Sequence, residues 1–391
     1  MITIMQESLY SHLQCHYCGK VYDKKQINTI CELDNQPLVA VYDFEGQYKK
    51  EKLIGNSNDM WRYSKLLPID DEQNKVSLGE GFTPMLNLLN LSNQYNQNSL
   101  VLKEEAGNPT GSFKARGISI AVSKAKELGI RSMCIPTAGN AGSALSAYCT
   151  KAGIQVHVYM PEETPRVFQL DCEIMGARVV KVKGDISDAA ALMRRENNGS
   201  WFDITTLKEP FRLEGKKTMG YEIAEQLNWQ LPEVIIYPTG GGTGLIGIWK
   251  AFHELLKLGW IENIPTRMVA VQGKGCDPIV KAFNLKADHT NKYDQPDVTI
   301  ANGLRVPHPF GDRMIMKAIY QSNGTAISVT DADIKNSMNE FAKAEGIFLS
   351  PEGSAVWAAY KALQASKWIK KSDNVVLLNT GSPYKYIDNL I

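Results

Sequence analysis

The sequence lacks most features that assign a chain to a class at first sight. Lysine and arginine number 43 against 42 aspartates and glutamates, a net charge of +1. No global field therefore draws the chain to nucleic acid or to an anionic membrane, and any anion site has to be local. No apolar run is long enough to span a bilayer, and residues 1–11 lack a basic stretch followed by an apolar one, so a cytoplasmic protein is expected. Cysteine is sparse and odd in number, at seven, and Cys134, Cys149, Cys172 and Cys276 stand singly within apolar stretches. That argues against a disulfide framework and fits a reducing compartment, with these thiols as small core residues. The six histidines form no His-Glu-x-x-His pair, and there is no Gly-x-Ser-x-Gly elbow, which removes the commonest zinc-protease and serine-hydrolase signatures. His157 lies in an apolar run and reads as core. There is no internal repeat and no low-complexity tract.

Metal-ligand spacing is incomplete as well. Cys15-His16-Tyr17-Cys18-Gly19 is followed by a lone Cys31, and a tetrahedral thiolate site usually takes a second cysteine pair, whose last member falls at Leu33 here. Three cysteines do not close such a site, and His16 is wedged between two of them. A degenerate, metal-free knuckle is expected. Residues 44–75 are charged and aromatic without clear period, with Trp61 and Tyr63 as the side chains that pack this arm against the body. Ser77 to Pro84 is a glycine-rich loop.

What is present is an alternation of short β-rich runs and longer helical patterns, which in a chain of 391 residues implies a two-domain or large α/β protein with a mainly parallel sheet. The spacing predicts strands over 100–102, 133–135, 156–160, 179–182, 234–237, 268–271 and 375–378. Helices are expected over 118–128, 143–152, 245–258 and 354–366, and Thr330-Asp331-Ala332-Asp333 reads as a capping box. The expected organisation is an N-terminal arm over 1–60, a large domain made of 61–118 and 206–391, and a small mobile domain over 119–205.

Four unusual loops follow predicted strands: 104–114, 137–140, 239–244 and 380–382. In open parallel sheets ligands bind beyond the carboxyl ends of the strands, where loops meet helix N-termini, so the four point to one site. Thr239-Gly240-Gly241-Gly242-Thr243-Gly244 is a phosphate cradle by its chemistry: glycines let successive N–H groups face a ligand, and the following helix favours negative charge. No Gly-Lys-Ser/Thr follows, so it is not a nucleotide P-loop. A glycine-rich turn needed only for tight packing is the plain alternative.

Lys114, delivered by the turn Asn108-Pro109-Thr110-Gly111-Ser112-Phe113, is the candidate nucleophile, since a partly desolvated lysine near other positive character can lose its proton. Nucleophilic lysine plus phosphate cradle suggests pyridoxal phosphate. Asn140 reads as a partner of the cofactor ring and as a helix N-cap, two roles that can both hold, and the N–H groups of Thr137 to Asn140 can take a carboxylate. Thr380 offers a neutral hydroxyl to a ring nitrogen. Arg212 offers a fork to a carboxylate or phosphate, or else a surface ion pair to Glu209 or Glu214.

These residues resemble the fold-type II pyridoxal-phosphate enzymes, over nearly the whole chain. Asn108 to Gly117 resembles the cofactor-lysine motif, Ala138-Gly139-Asn140 the asparagine loop, Gly240 to Gly244 the phosphate loop and Thr380 the pyridine-nitrogen partner. Within that group the Cys-x-x-Cys-Gly arm, the Leu78-Gly79-Glu80-Gly81-x-Thr83-Pro84 loop and Arg212-Leu213-Glu214-Gly215-x-Lys217-Thr218 are similar to the threonine synthase branch. The resemblance implies cofactor attachment at Lys114 and cofactor contacts from Asn140, Gly240, Gly241, Gly242, Thr243, Gly244 and Thr380. It implies substrate contacts from Thr137, Gly139 and Arg212. The implied reaction turns O-phospho-L-homoserine and water into L-threonine and phosphate, in a homodimer with the cofactor between its domains. Ala115 stands where the motif commonly has aspartate, and Ala141 where this branch usually has threonine; 299–304 is closer to the dehydratases. A β-eliminating or β-replacing enzyme acting on serine, threonine or phosphoserine is the alternative.

Overall fold

Every predicted strand forms, each extended by one or two residues at one or both ends, because the flanking polar residues join the ladder without belonging to the apolar run. The computed structural model describes residues 8–46, 48–293 and 295–389. In chain order the strands are β1 (Tyr10–Cys15), β2 (Val21–Tyr22), β3 (Leu38–Tyr42), β4 (Met85–Asn87), β5 (Ser99–Glu104), β6 (Ser132–Pro136), β7 (Gln155–Pro161), β8 (Arg178–Val182), β9 (Phe202–Asp203), β10 (Val234–Pro238), β11 (Arg267–Gly273), β12 (Thr325–Val329) and β13 (Asn374–Asn379). The α-helices are α1 (Lys50–Leu53), α2 (Leu89–Tyr95), α3 (Lys114–Glu127), α4 (Asn140–Ala152), α5 (Arg166–Ile174), α6 (Ile186–Glu196), α7 (Phe211–Gln226), α8 (Thr243–Lys257), α9 (Pro278–Asn284), α10 (Asp312–Gln321), α11 (Asp331–Glu345) and α12 (Pro351–Ala365). No helix among the described residues is long and apolar enough to cross a membrane.

Two compact units emerge. The first contains Met1–Phe82, Asn108–Thr110 and Lys114–Thr218. It holds a three-stranded antiparallel sheet in the order β2-β1-β3 and a four-stranded parallel sheet in the order β8-β7-β6-β9. Leu13 and Leu38 of the small sheet share one apolar cluster with Ile118, Ile120, Leu145 and Val158, so the N-terminal sheet is packed into the core of its unit. Cys134, Cys149 and Cys172 are buried and in no disulfide among the described residues, as is Cys276 in the other unit.

The second unit contains Thr83–Gly107, Gly111–Phe113 and Met219–Ile391. Its six-stranded sheet runs β12-β11-β10-β13-β5-β4, parallel except for β4 at one edge. Both faces of its central strands are covered, which is why β10 reads as an unbroken apolar run. Trp357, with Tyr360 stacked on it, Phe341 and Ile334 fill the side formed by α11 and α12. Thr330 caps α11 in the expected capping box.

Candidate active site

Strand order brings three of the four unusual loops together. β13 lies between β10 and β5, so the loops after β5, β13 and β10 leave neighbouring carboxyl ends of one parallel sheet. Ser112 forms a β-bridge with Gly381; Phe113 N–H donates to Thr380 O at 3.1 Å and Ser382 N–H to Gly111 O at 2.8 Å. The turn before them uses left-handed backbone at Thr110 (φ 59°) and Gly111 (φ 67°). Lys114 is the next residue after this pinned segment and opens α3, so its backbone position is set by hydrogen bonds rather than by a free loop.

Beneath the 380–382 loop lies a polar network with no motif to mark it in the chain. Asn379 donates from Nδ2 to both carboxylate oxygens of Glu104 at 2.9 Å, and its Oδ1 accepts from Ser350 N–H at 3.2 Å and Ser350 Oγ at 2.9 Å. Ser350 in turn caps α12. Burial pushes the Glu104 carboxyl up, and the Asn379 bonds oppose that in part. The network ties β5, β13 and α12 together directly under Thr380, which is itself buried.

The glycine loop after β10 is close-packed on its outer side. A Cβ at Gly240 would sit 2.1 Å from Gly303 O, one at Gly242 (φ 70°) 2.2 Å from Ile315 Cδ1, and one at Gly244 1.9 Å from Tyr237 Oη. The protein's own packing thus demands three of the glycines, and Gly303 places the 299–304 segment against the loop. On the other side, α8 starts on Gly242 with no side-chain cap. Among the described residues the N–H groups of Gly240, Gly241 and Gly242 have no acceptor. α6, α11 and α12 are each capped by an Asp, Thr or Ser oxygen, whereas α8 and α4 start on a glycine without one.

In the first unit the asparagine loop behaves similarly. Gly139, not Asn140, is the N-cap of α4, and it has no side chain to bond the first turn; Asn140 is the first helical residue, which corrects the reading of Asn140 as a cap. Thr137 is buried, and its Oγ1 accepts from Gly139 N–H at 3.3 Å. One turn along, the Ser143 hydroxyl is fully buried with no partner among the described residues. Sequence reasoning missed it; its spacing of three from Asn140 on a helix was the available signal.

Glu80 of the Leu78-Gly79-Glu80-Gly81 loop is the anchor for both helices. Its buried carboxylate accepts from Trp61 Nε1 (2.7 Å), Ser119 Oγ of α3 (2.5 Å), Tyr148 Oη of α4 (2.6 Å) and Leu78 N–H (2.8 Å). Asn108 Oδ1 accepts from Gly81 N–H at 2.9 Å. A carboxylate with this many donors is inexpensive to bury and fixes α3 against α4.

α7 carries the charged segment that includes Arg212. Gly117 of α3 and Gly215 of α7 allow backbone contact between the helices: a Cβ would meet Arg212 O at 2.6 Å or Arg116 O at 2.0 Å. Arg212 is only 2% exposed, so it is no surface ion-pair residue. It donates from Nη1 to Ile204 O at 2.7 Å, and among the described residues its Nε has no partner and no carboxylate lies within ion-pair distance of it. Glu209 instead accepts the backbone N–H groups of Phe211 and Arg212, and Glu214 pairs with Lys217 at 2.7 Å. Lys216, four residues beyond Arg212, is also buried; burial first, then the charges of Lys114 and Arg212, pull its pKa well below the ordinary lysine range. Lys216 is thus within electrostatic reach of Lys114, Arg212 and Glu209. That arrangement can take an anion and can keep an amine nucleophilic.

Residues 76–381 match the family model described as pyridoxal-phosphate dependent enzyme. The threonine synthase of Methanocaldococcus jannaschii is 36% identical over 97% of this chain and 94% of its own length; that of Methanosarcina acetivorans is 34% identical over 95% and 91%. Among solved structures, the processed form of threonine deaminase isoform 2 from Solanum lycopersicum superposes with a TM-score of 0.69 at 18% identity, covering 86% of this chain and 94% of that one. At that identity the likeness concerns the fold.

Proposed function

The chain belongs to the pyridoxal-phosphate-dependent enzymes and, among them, to the threonine synthases, and we propose that it converts O-phospho-L-homoserine and water to L-threonine and phosphate. The observation that carries the substrate is Arg212: a buried guanidinium whose Nε has no partner among the described residues, with Lys216 in electrostatic reach. Burying a guanidinium whose Nε is left open is costly even with Glu209 in electrostatic reach, and a phosphate dianion is a ligand that repays it.

The residues present suit the cofactor. The uncapped start of α8 with the free N–H groups of Gly240, Gly241 and Gly242, and with Thr243 and Gly244 in the first turn, suits a 5′-phosphate. Lys114 would hold the aldehyde carbon, Asn140 the ring hydroxyl and Thr380 the ring nitrogen. When bound, pyridoxal phosphate supplies an electron sink for negative charge at the substrate's Cα.

The chain's own groups do the rest. The open N-terminus of α4, with Thr137, Gly139 and the Ser143 hydroxyl, holds the substrate carboxylate. Arg212 holds the phosphate at the far end and so sets Cα, Cβ and Cγ in line. Lys114 Nζ would move protons at Cα and Cβ. Exclusion of water until the phosphate has left falls to closure of the small domain over 119–205. A homodimer in the cytoplasm completes the proposal.

Borohydride reduction of the holoenzyme followed by peptide mass mapping tests the site. The pyridoxyl group is expected on Lys114 alone, with the visible cofactor band lost in Lys114→Ala. A label on another lysine would reassign the centre.

A further inference from the structure

We propose that Cys15, Cys18, Cys31 and Asp34 form a tetrahedral zinc site that staples the N-terminal sheet. The expectation of a metal-free knuckle rested on the want of a fourth ligand at Leu33. Among the described residues the fourth group is Asp34, and the ligand atoms of all four residues lie within 4.8 Å of one another. His16 is turned away, with Nε2 at 3.2 Å from Gln36 Oε1.

Two loops of identical construction face each other. In the first, Cys15 N–H donates to Lys20 O and Gly19 N–H to Cys15 O, at 2.9 and 3.1 Å; in the second, Cys31 N–H donates to Gln36 O and Asn35 N–H to Cys31 O, each at 2.9 Å. Gly19 (φ 77°) and Asn35 (φ 57°) both take left-handed backbone at the equivalent place. In this pattern Asp34 occupies the position that Cys18 holds in the first loop, so the motif is Cys-x-x-Cys-Gly paired with Cys-x-x-Asp-Asn. Asparagine tolerates the left-handed turn that glycine supplies in the other loop. The proper register after Cys31 is two intervening residues, which is why counting to Leu33 found no ligand.

Distances suit the ion. With Zn–S near 2.3 Å and Zn–O near 2.1 Å, a tetrahedron has edges of about 3.8 Å between sulfurs and about 3.6 Å between sulfur and oxygen. Cys18 Sγ lies 3.6 Å from Cys31 Sγ, and Cys15 Sγ lies 3.4 and 3.5 Å from the two Asp34 oxygens. Donors already surround the sulfurs in the way thiolate ligands require: Tyr17 N–H and Cys18 N–H approach Cys15 Sγ at 3.4 and 3.5 Å, and Tyr22 Oη approaches Cys31 Sγ at 3.2 Å.

The region also needs a staple. Between β1 and β3, Tyr17, Val21, Ile27 and Leu33 are each more than half exposed, and Cys15 and Cys31 are among the few side chains that reach the core. A loop segment with so little apolar burial gains its fixed shape from metal closure.

Metal analysis of the full-length holoenzyme, purified with thiols reduced and supplied with zinc, is the test. About one zinc per chain is expected after dialysis, retained in Asp34→Cys and lost in both Cys18→Ser and Asp34→Ala. Cobalt in place of zinc should give the visible bands of a tetrahedral thiolate site in the wild type, a readout that does not depend on any variant folding. The proposal is overturned if reconstituted wild type holds no zinc, if a Cys18–Cys31 disulfide is found instead, or if Cys18→Ser and Asp34→Ala keep as much zinc as the wild type.

Discussion

Glu209 closes the first turn of the helix that carries Arg212: its carboxylate accepts Arg212 N–H at 2.7 Å and Phe211 N–H at 2.9 Å. The group is fully buried, and burial pushes its pKa up to about 7, with the Arg212 charge and the two N–H groups opposing that in part. A carboxyl raised above its ordinary 4.5 keeps its proton longer in the folded than in the unfolded chain. Its contribution to stability is therefore complete below that value and lost as pH rises to about 7. Denaturant unfolding of wild type and Glu209→Gln across this window should show the wild type losing up to roughly 3 kcal/mol relative to the variant. A pH-independent difference would show that Glu209 does not titrate there.

Arg212→Ala should raise KM for the phosphorylated substrate by roughly 10- to 100-fold, the loss of a charge-assisted contact of about 1.5–3 kcal/mol. Arg212→Lys keeps the charge but not the fork, and recovers only part of the effect. Neither change should weaken cofactor binding, which equilibrium dialysis of the cofactor would verify.

Gly244→Ala meets Tyr237 Oη at 1.9 Å, and Gly240→Ala meets the backbone oxygen of Gly303 at 2.1 Å. A phenol can swing away; a carbonyl in a packed segment cannot. Gly240→Ala is expected to cost more stability, about 1–3 kcal/mol, and to release the cofactor more readily in fluorescence titrations.

Tyr42 of β3 donates to Glu214 Oε2 at 2.7 Å, the same oxygen that Lys217 reaches at 2.7 Å, and Lys217 Nζ lies 3.8 Å from the Tyr42 ring centroid. Tyr42→Phe keeps the ring and removes one donor from a buried carboxylate. It should cost about 1–3 kcal/mol in thermal or chemical unfolding with KM for cofactor little changed.

Much of this was legible in the sequence because apolar period and turn chemistry agree along most of the chain. The four expected helices are present, but each begins two to four residues earlier than the apolar pattern, since Lys114, Asn140, Thr243 and Pro351 start their helices with polar or restricted residues. α7 left no amphipathic signal: Arg212, Glu214, Lys216, Lys217, Thr218 and Glu222 are all buried, so charge marks its inside rather than its surface. β1 and β3 were hidden in a short antiparallel sheet whose core side chains include cysteines. Lys114, Arg212 and the glycine loop stood out because glycine, proline and charge cluster there. Ser143, Glu80 and Asn379 did not, since their roles depend on partners far away in sequence.

The most direct measurement is incubation of the holoenzyme with O-phospho-L-homoserine, following inorganic phosphate and amino acid together. Equimolar phosphate and L-threonine, both abolished in Lys114→Ala, is the predicted result. Absence of both products, with keto acid formed instead from serine, threonine or phosphoserine, would contradict the assignment and make the chain a β-eliminating enzyme on the same fold.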